Sequence, residues 1–140
     1  MREISSQSSL PFDGSARNAV LLLEDNEIIA SMLTALLKSL SLRVIWCADS
    51  ASGERVFAER AGEVLLVLAD CRLPDGDGRE LCARFRTRVP QLPVLVTSGS
   101  VSGRGVAPLE RNRFVEYLPK PYAPSEVIDR VRRLIEVAAA

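Results

Sequence analysis

The chain has 140 residues, of which 47% are hydrophobic, and this length and composition are typical of one globular domain with its own core. Eighteen Lys and Arg residues balance eighteen Asp and Glu residues, so the zero net charge gives no indication of a nucleic-acid or membrane partner. The absence of histidine excludes His-based catalysis, His metal ligands and a phosphohistidine on this chain.

The cysteines and the apolar runs predict a cytoplasmic protein. No apolar run is long enough to span a bilayer, and the N-terminus lacks the basic, apolar and small-residue regions of a secretory signal. Cys47, Cys71 and Cys82 are an odd set without paired spacing, which is typical of reduced thiols. We therefore expect no membrane association and no disulfide.

The N-terminal part of the chain predicts a polar arm followed by a strand and a helix. Residues 1–17 are polar and Ser-rich, so we expect a disordered arm here and one domain over residues 18–140. The continuous apolar run Val20–Leu23 is typical of a buried parallel strand. Apolar residues at helical spacing then predict a helix over 26–40.

The middle of the chain predicts two more strands, each followed by a helix. A short β-like run, Arg43–Cys47, precedes a helix expected over 51–60. The apolar run Val64–Ala69 is the second buried strand, and a helix is expected over 79–88. Between them, the Pro- and Gly-rich segment Leu73–Gly78 predicts a turn.

The C-terminal part predicts two strands, an irregular connection and a closing helix. The strands are Val94–Val96 and Phe114–Leu118, and the amphipathic helix spans Ser125–Val137. The segment 98–112 should hold a fourth helix but contains three glycines and a proline, which are unfavourable inside helices. We expect a long loop there, with at most a short helix near 109–113.

Polar residues follow four of the predicted strands. Glu24 and Asp25 end the first run, Asp70 ends the second buried strand, and Thr97 and Lys120 follow the last two. Alternating strands and helices predict a parallel sheet, whose working site lies at the carboxyl ends of the strands. Clustered carboxylates repel one another unless a proton or cation intervenes, and oxygen ligands without His or Cys favour Mg²⁺.

Each of these residues also has a purely structural interpretation. Glu24 and Asp25 could be favourable charges at a helix N-terminus, and Asp70 could be a turn residue. Thr97 could be an ordinary strand residue and Lys120 a surface lysine. Their occurrence together, each at a strand end, favours a common site.

The segment Asp70–Gly78, the pair Lys120–Pro121 and the acidic pair together resemble the receiver domain of bacterial two-component response regulators. Leu73 and Pro74 follow Asp70 by three and four residues, and an acidic residue and Gly come next, as in that family. The resemblance covers about Ala19 to Val137. It implies a flavodoxin-like, doubly wound, five-stranded parallel sheet of order 2-1-3-4-5, with an irregular fourth helix in this chain.

The resemblance also implies roles for the residues at the strand ends. Asp70 would be the phosphoacceptor. Glu24, Asp25, Asp70 and the backbone carbonyl of Arg72 would hold Mg²⁺, with Glu24 acting largely through water. Lys120 would bind a phosphoryl oxygen, so that Asp70, Thr97 and Lys120 form the catalytic set.

A conformational switch is implied as well. Thr97 would donate its hydroxyl to the new phosphoryl group, and Tyr117 would turn inward to fill the space that Thr97 leaves. Tyr117 also has a structural interpretation, as an aromatic residue in an edge strand that packs on the last helix. The side chain of Arg72 could lie over the phosphoryl group and slow its hydrolysis.

The implied partners are a histidine kinase or phosphotransfer protein and a downstream effector protein. We expect a signalling switch, not a metabolic enzyme, which catalyses only its own phosphoryl transfer and slow autodephosphorylation. No output domain is expected on this chain, since only three alanines follow Val137. A stand-alone regulator and a receiver module of a hybrid kinase are both compatible with the sequence.

Two other classes of protein remain as alternatives. A phosphohydrolase of the haloacid dehalogenase type would have a second aspartate two residues after its nucleophile, where this chain has Arg72. A pure interaction module would keep the fold without accepting phosphate. The complete set of expected site residues argues against that module, whereas the irregular segment 98–112 argues mildly for it.

Overall fold

The computed structural model describes residues 2–4, 17–99 and 112–139. The segment 98–112, which the sequence predicts to be irregular, therefore lies mostly outside the described residues. The same holds for most of the short helix expected near 109–113. Among the helices of the described ranges, none combines the length and the hydropathy that crossing a bilayer requires.

The described residues form eight strands and four α-helices. The strands are β1 (Arg2–Ile4), β2 (Ala19–Leu23), β3 (Arg43–Cys47), β4 (Val64–Asp70), β5 (Arg72–Leu73), β6 (Gly76–Asp77), β7 (Val94–Ser98) and β8 (Val115–Pro119). The helices are α1 (Glu27–Lys38), α2 (Ser50–Arg60), α3 (Gly78–Arg88) and α4 (Pro124–Ala139), and a short 3₁₀ turn, Ala61–Glu63, follows α2. The strands and helices that the sequence predicts within these ranges are thereby confirmed, with bounds that differ by one or two residues.

The main sheet has the order β1-β3-β2-β4-β7-β8, and all its pairs are parallel except β1 with β3. Its five parallel strands, counted along the chain, follow the order 2-1-3-4-5, which confirms the flavodoxin-like fold. The predicted turn at 73–78 contains a small antiparallel ribbon of β5 and β6 that the sequence analysis did not anticipate.

The N-terminal strand β1 differs from the disorder expected over residues 1–17. Arg2 lies opposite Trp46 and Ile4 lies opposite Val44, so β1 pairs with the edge of β3. An edge strand has unpaired backbone groups, and a neighbouring segment can pair with them without an apolar sequence pattern. The composition of the arm therefore gave no signal for this strand, and residues 5–16 lie outside the described residues.

Three helices begin at polar residues that cap their first turns. Asn26, Asp49 and Asp77 each accept a hydrogen bond from a backbone N–H two or three residues further along, at 2.7–3.0 Å. Such caps satisfy donors that have no partner inside the helix. They start α1, α2 and α3 shortly after the carboxyl ends of β2, β3 and β4.

Helices cover both faces of the sheet, and alternate residues of each strand point to opposite faces. One apolar cluster lies under α2 and α3 and includes Leu21, Leu23, Val67, Phe57, Leu81 and Phe85. The other lies under α1 and α4 and includes Val20, Leu22, Leu33, Leu68, Val131 and Leu134. Each such side chain contributes about 1.5–3 kcal/mol when fully buried. The two layers hold the strand ends, and the polar residues on them, in a fixed arrangement.

Candidate functional site

Three carboxylates meet at the carboxyl edge of the sheet. Glu24 and Asp25 follow β2, Asp70 ends the neighbouring strand β4, and one carboxylate oxygen from each lies within 4.8 Å of the other two. The register explains this proximity, because Leu23 lies opposite Ala69 in the parallel ladder. The structure therefore brings together the three acidic side chains that the sequence analysis singled out.

Glu24 is the most buried of the three, with a relative exposure of 2%. Its backbone N–H donates to the carbonyl of Cys47 at 3.1 Å, and its carboxylate accepts from the N–H of Asn26 at 3.1 Å. The indole N–H of Trp46 donates to its backbone carbonyl at 2.6 Å. Burial raises the pKa of Glu24 from 4.5 to about 7, against the opposing effect of the hydrogen bond from Asn26.

Both carboxylate oxygens of Asp70 have partners. The Lys120 ammonium lies 2.8 Å from Oδ2, and the backbone N–H of Arg72 donates to Oδ1 at 3.1 Å. A hydrogen bond of 2.8 Å from the Lys120 N–H to the carbonyl of Ser98 fixes Lys120 at the end of β8. Burial acts to lower the pKa of Lys120, but the hydrogen bond and the charge of Asp70 outweigh it and raise that pKa.

Thr97 is placed directly beside Asp70. The two residues are opposite each other in the ladder of β4 and β7, and Thr97 is 1% exposed. The Thr97 carbonyl accepts from the N–H of Cys71 at 3.0 Å, so the strand backbone continues past Asp70. Tyr117 lies one strand further, opposite Val96, where it is half-buried against the apolar cluster under α2 and α3. The expected packing of Tyr117 on the last helix is therefore wrong, because α4 covers the other face of the sheet. The switch role of Tyr117 stays a prediction.

The loop after Asp70 contains two further aspartates that serve helix N-termini. Asp75 accepts hydrogen bonds from the backbone N–H groups of Ser50 and Ala51, at 2.7 and 3.0 Å, at the start of α2. Asp77 caps α3 and pairs with Arg79 at 2.9 Å. The contact from Asp75 joins positions that lie 25 residues apart, so no local sequence pattern indicates it.

Gly78 is a residue of this site that the sequence analysis did not identify. A Cβ atom built on Gly78 would lie 2.0 Å from the backbone oxygen of Asp70 and 3.0 Å from its carbonyl carbon. The Gly78 N–H also donates to the Cys71 carbonyl at 2.9 Å. Only glycine allows α3 to begin this close to Asp70. Glycine is unfavourable in helices, so its position as the first residue of α3 is the signal that could have indicated this close approach.

The chemistry of the donor set fits a hard divalent cation. The cluster offers carboxylate oxygens only, and burial of Glu24 raises the free energy of holding these charges together. Mg²⁺ binds one or two carboxylates and retains several waters, so it suits such an open acidic edge. Arg72, whose carbonyl is the fourth predicted ligand, is held against Asp70 by its own N–H.

Comparison with known proteins identifies the family. The family model for the response regulator receiver domain matches residues 20–132 of this chain. The chain is 31% identical over 121 residues to the sensory transduction protein RegX3 of Mycolicibacterium smegmatis, covering 86% of this chain and 52% of RegX3. It is 25% identical over 135 residues to the sensor kinase CckA of Brucella abortus, covering 96% of this chain and 14% of CckA. The chain thus spans about half the length of RegX3 and less of CckA.

Solved structures show the same fold. A signal receiver domain of an HD domain-containing protein from Pseudomonas fluorescens Pf-5 matches with a TM-score of 0.74 and 24% identity, covering 89% of this chain and 98% of that chain. The non-phosphorylated HemR receiver domain from Leptospira biflexa matches with a TM-score of 0.69 and 28% identity, covering 85% and 94% of the two chains.

Proposed function

Since the chain belongs to the family of response regulator receiver domains of two-component signalling, we propose that it accepts a phosphoryl group on the carboxylate of Asp70. The observation that carries this proposal is the position of Asp70. Its Oδ2 atom lies 2.8 Å from the Lys120 ammonium, and its carboxylate belongs to the cluster with Glu24 and Asp25. A carboxylate beside a mobile cation and an acidic cation site is suited to phosphoryl transfer.

The phosphoryl donor would be a phosphohistidine of a histidine kinase or a phosphotransfer protein. One carboxylate oxygen of Asp70 attacks phosphorus in line, a P–O bond forms and the P–N bond of the donor breaks. The electron pair of that bond stays on the donor imidazole, which takes up a proton from solvent. The product is an acyl phosphate on Asp70. Water later attacks the phosphorus of this acyl phosphate, which releases the free carboxylate and inorganic phosphate.

Glu24, Asp25, Asp70 and the Arg72 carbonyl would hold Mg²⁺ at this edge. When bound, the ion supplies positive charge that offsets the negative charge of the incoming phosphoryl oxygens. Glu24 and Asp25 lie in the turn that joins β2 to α1, and this turn positions their carboxylates. Their role would be to bind the ion together with Asp70, so that one carboxylate oxygen of Asp70 remains available for the attack on phosphorus.

Lys120 and Thr97 would respond to the new phosphoryl group. Lys120 pairs with Asp70 before transfer and can move its ammonium to a phosphoryl oxygen afterwards, because its charge is compact and its stem flexible. The Thr97 hydroxyl would donate to another oxygen, and Tyr117 would occupy the space it vacates. The phosphoryl group thereby shifts a two-state equilibrium and changes the face that a downstream effector binds.

The test is intact mass spectrometry after incubation with acetyl phosphate and Mg²⁺. Wild type should gain one phosphoryl adduct that requires Mg²⁺, and Asp70→Asn should gain none. Asp75→Asn is the matched control in the same loop and should be phosphorylated like wild type. Absence of an adduct on wild type sampled at early times, or an adduct on Asp70→Asn, would contradict the proposal.

A further inference from the structure

The turn that carries Glu24 and Asp25 is held at three points. The Glu24 N–H and its carboxylate are bound through the backbone groups of Cys47 and Asn26. The third point is the Glu24 carbonyl, which accepts from the indole N–H of Trp46 at 2.6 Å. The first two contacts involve no side chain other than that of Glu24 itself, whereas the third depends on the side chain of a residue outside the acidic pair.

The carbonyl that Trp46 binds belongs to the peptide bond between Glu24 and Asp25. A peptide unit is planar, so fixing its oxygen fixes the orientation of the whole plane. The two acidic side chains are attached to the Cα atoms at the two ends of that planar unit. Holding the carbonyl therefore restricts the directions from which both carboxylates approach the cation site.

Trp46 is itself held firmly. Its side chain is 9% exposed and belongs to the apolar cluster under α1 and α4. Its backbone pairs on both sides, with Leu22 of β2 and with Arg2 of β1. An indole N–H is a donor only and needs an acceptor when buried, so rotation of the Glu24 carbonyl away from it is unfavourable.

We propose that Trp46 is a positioning residue for the cation site, acting through the Glu24 carbonyl without contacting the ion. The inference rests on the proposed binding of Mg²⁺ by the carboxylates of Glu24, Asp25 and Asp70. Loss of the indole N–H removes one of the three contacts that hold this turn, so the peptide plane is less restricted and more of the ordering of the carboxylates must occur when the ion binds. Removing a group that orients metal ligands typically weakens metal affinity about 10- to 100-fold, and we expect roughly tenfold here.

The experiment measures Mg²⁺ affinity by isothermal titration calorimetry in wild type and three altered proteins. The stability of each protein is measured separately by unfolding in urea. Trp46 is the only tryptophan of the chain, so it can be replaced throughout by benzothienylalanine, which has the shape of tryptophan but sulfur in place of the N–H. Trp46→Phe is the second variant, since it also lacks the donor. Phe57→Leu is the matched control, because Phe57 is 3% exposed and stacks on Phe85 at 4.1 Å in the other apolar cluster.

Weaker Mg²⁺ binding in both Trp46 proteins, together with unchanged affinity in the destabilised Phe57→Leu variant, would support the inference. Unchanged affinity in the benzothienylalanine protein would overturn it and leave the proposed function intact. Equal weakening in Phe57→Leu would also overturn it, since general loss of stability would then explain the effect. No Mg²⁺ binding by wild type would contradict the proposed cation site itself.

Discussion

Among single residues, the position of Asp70 depends on close contacts from both ends of the loop that follows it and from Lys120 at the end of β8. Lys120 and the Arg72 N–H bind its carboxylate, and Gly78 lies against its backbone carbonyl. The sequence indicated Asp70 and Lys120, because each stands at the end of an apolar run. The roles assigned to Thr97, Tyr117 and the ligand set stay predictions until phosphorylation is measured.

Substitution of Gly78 tests the packing around Asp70. Gly78→Ala places a Cβ atom 2.0 Å from the Asp70 backbone oxygen, so the backbone must shift. Overpacking of this kind costs about 1–3 kcal/mol, and we expect that loss in the free energy of unfolding together with slower phosphorylation. Urea denaturation and the mass assay measure the two effects.

Gly62→Ala is the control for that substitution. A Cβ atom on Gly62 meets nothing within 4 Å, so the free energy of unfolding should change by less than about 0.5 kcal/mol. If the two alanine variants have equal stability and equal rates of phosphorylation, the approach of Gly78 to Asp70 affects neither the stability nor the reactivity of the site.

At the scale of secondary structure, the loop after β4 and the start of α2 are joined by Asp75. The helix also has its own cap, because Asp49 accepts from the Ser52 N–H at 2.7 Å. Asp75 adds two hydrogen bonds from the first turn and brings a negative charge to the positive end of the helix. The loop that carries Arg72 is therefore anchored to a second element of the fold.

Removal of the Asp75 carboxylate should destabilise the protein. Asp75→Ala leaves the Ser50 and Ala51 N–H groups without this acceptor, and we expect a loss of about 1 kcal/mol in the free energy of unfolding. Asp75→Asn keeps one acceptor oxygen and should lose less. Asp129→Ala, at an exposed aspartate of α4, is the control, and a similar loss in that variant would contradict the capping role.

The turn after α2 connects the helix to β3 through Glu63. Hydrogen bonds from Arg60 and Arg43 lower the pKa of Glu63 from 4.5 to about 2. A lowered pKa means that the folded state favours the charged carboxylate. The resulting stability is present above pH 4.5 and is lost as the pH falls towards 2.

Glu63→Gln should therefore be less stable than wild type at pH 7, and the difference should shrink as the pH falls from 4.5 to about 2. The Glu63 carboxylate is partly exposed, so we expect a difference of only about 1 kcal/mol at neutral pH. Urea midpoints at several pH values measure it. A difference that stays constant down to pH 2 would contradict this account of the ion pairs.

At the scale of the whole molecule, the site exists only in the folded chain. Glu24, Asp70, Thr97 and Lys120 lie at the carboxyl ends of four parallel strands, and the two apolar clusters on either side hold those strands in register. Unfolding disperses the carboxylates, so a cation that binds them should stabilise the fold by mass action.

Mg²⁺ should accordingly raise the melting temperature, and a chelator should reverse the increase. At a free concentration ten times the dissociation constant, the expected gain is about 1.4 kcal/mol. Differential scanning calorimetry measures it, with NaCl at equal ionic strength as the control for screening. Asp25→Asn removes one carboxylate of the cluster and should reduce the gain, and an undiminished gain would place the stabilising ions elsewhere.

Apolar runs, helical spacing and turn residues are local signals, so they predicted the five parallel strands, the four helices to within two residues, and the polar residues at the strand ends. The strand order was implied by the family resemblance. Four features emerged only from the three-dimensional structure: the pairing of β1 with β3, the bond from Trp46 to Glu24, the cap from Asp75 and the approach of Gly78 to Asp70. Trp46 and Glu24 are 22 residues apart and Asp75 and Ser50 are 25 apart, so these contacts depend on how the layers pack, which no local pattern encodes.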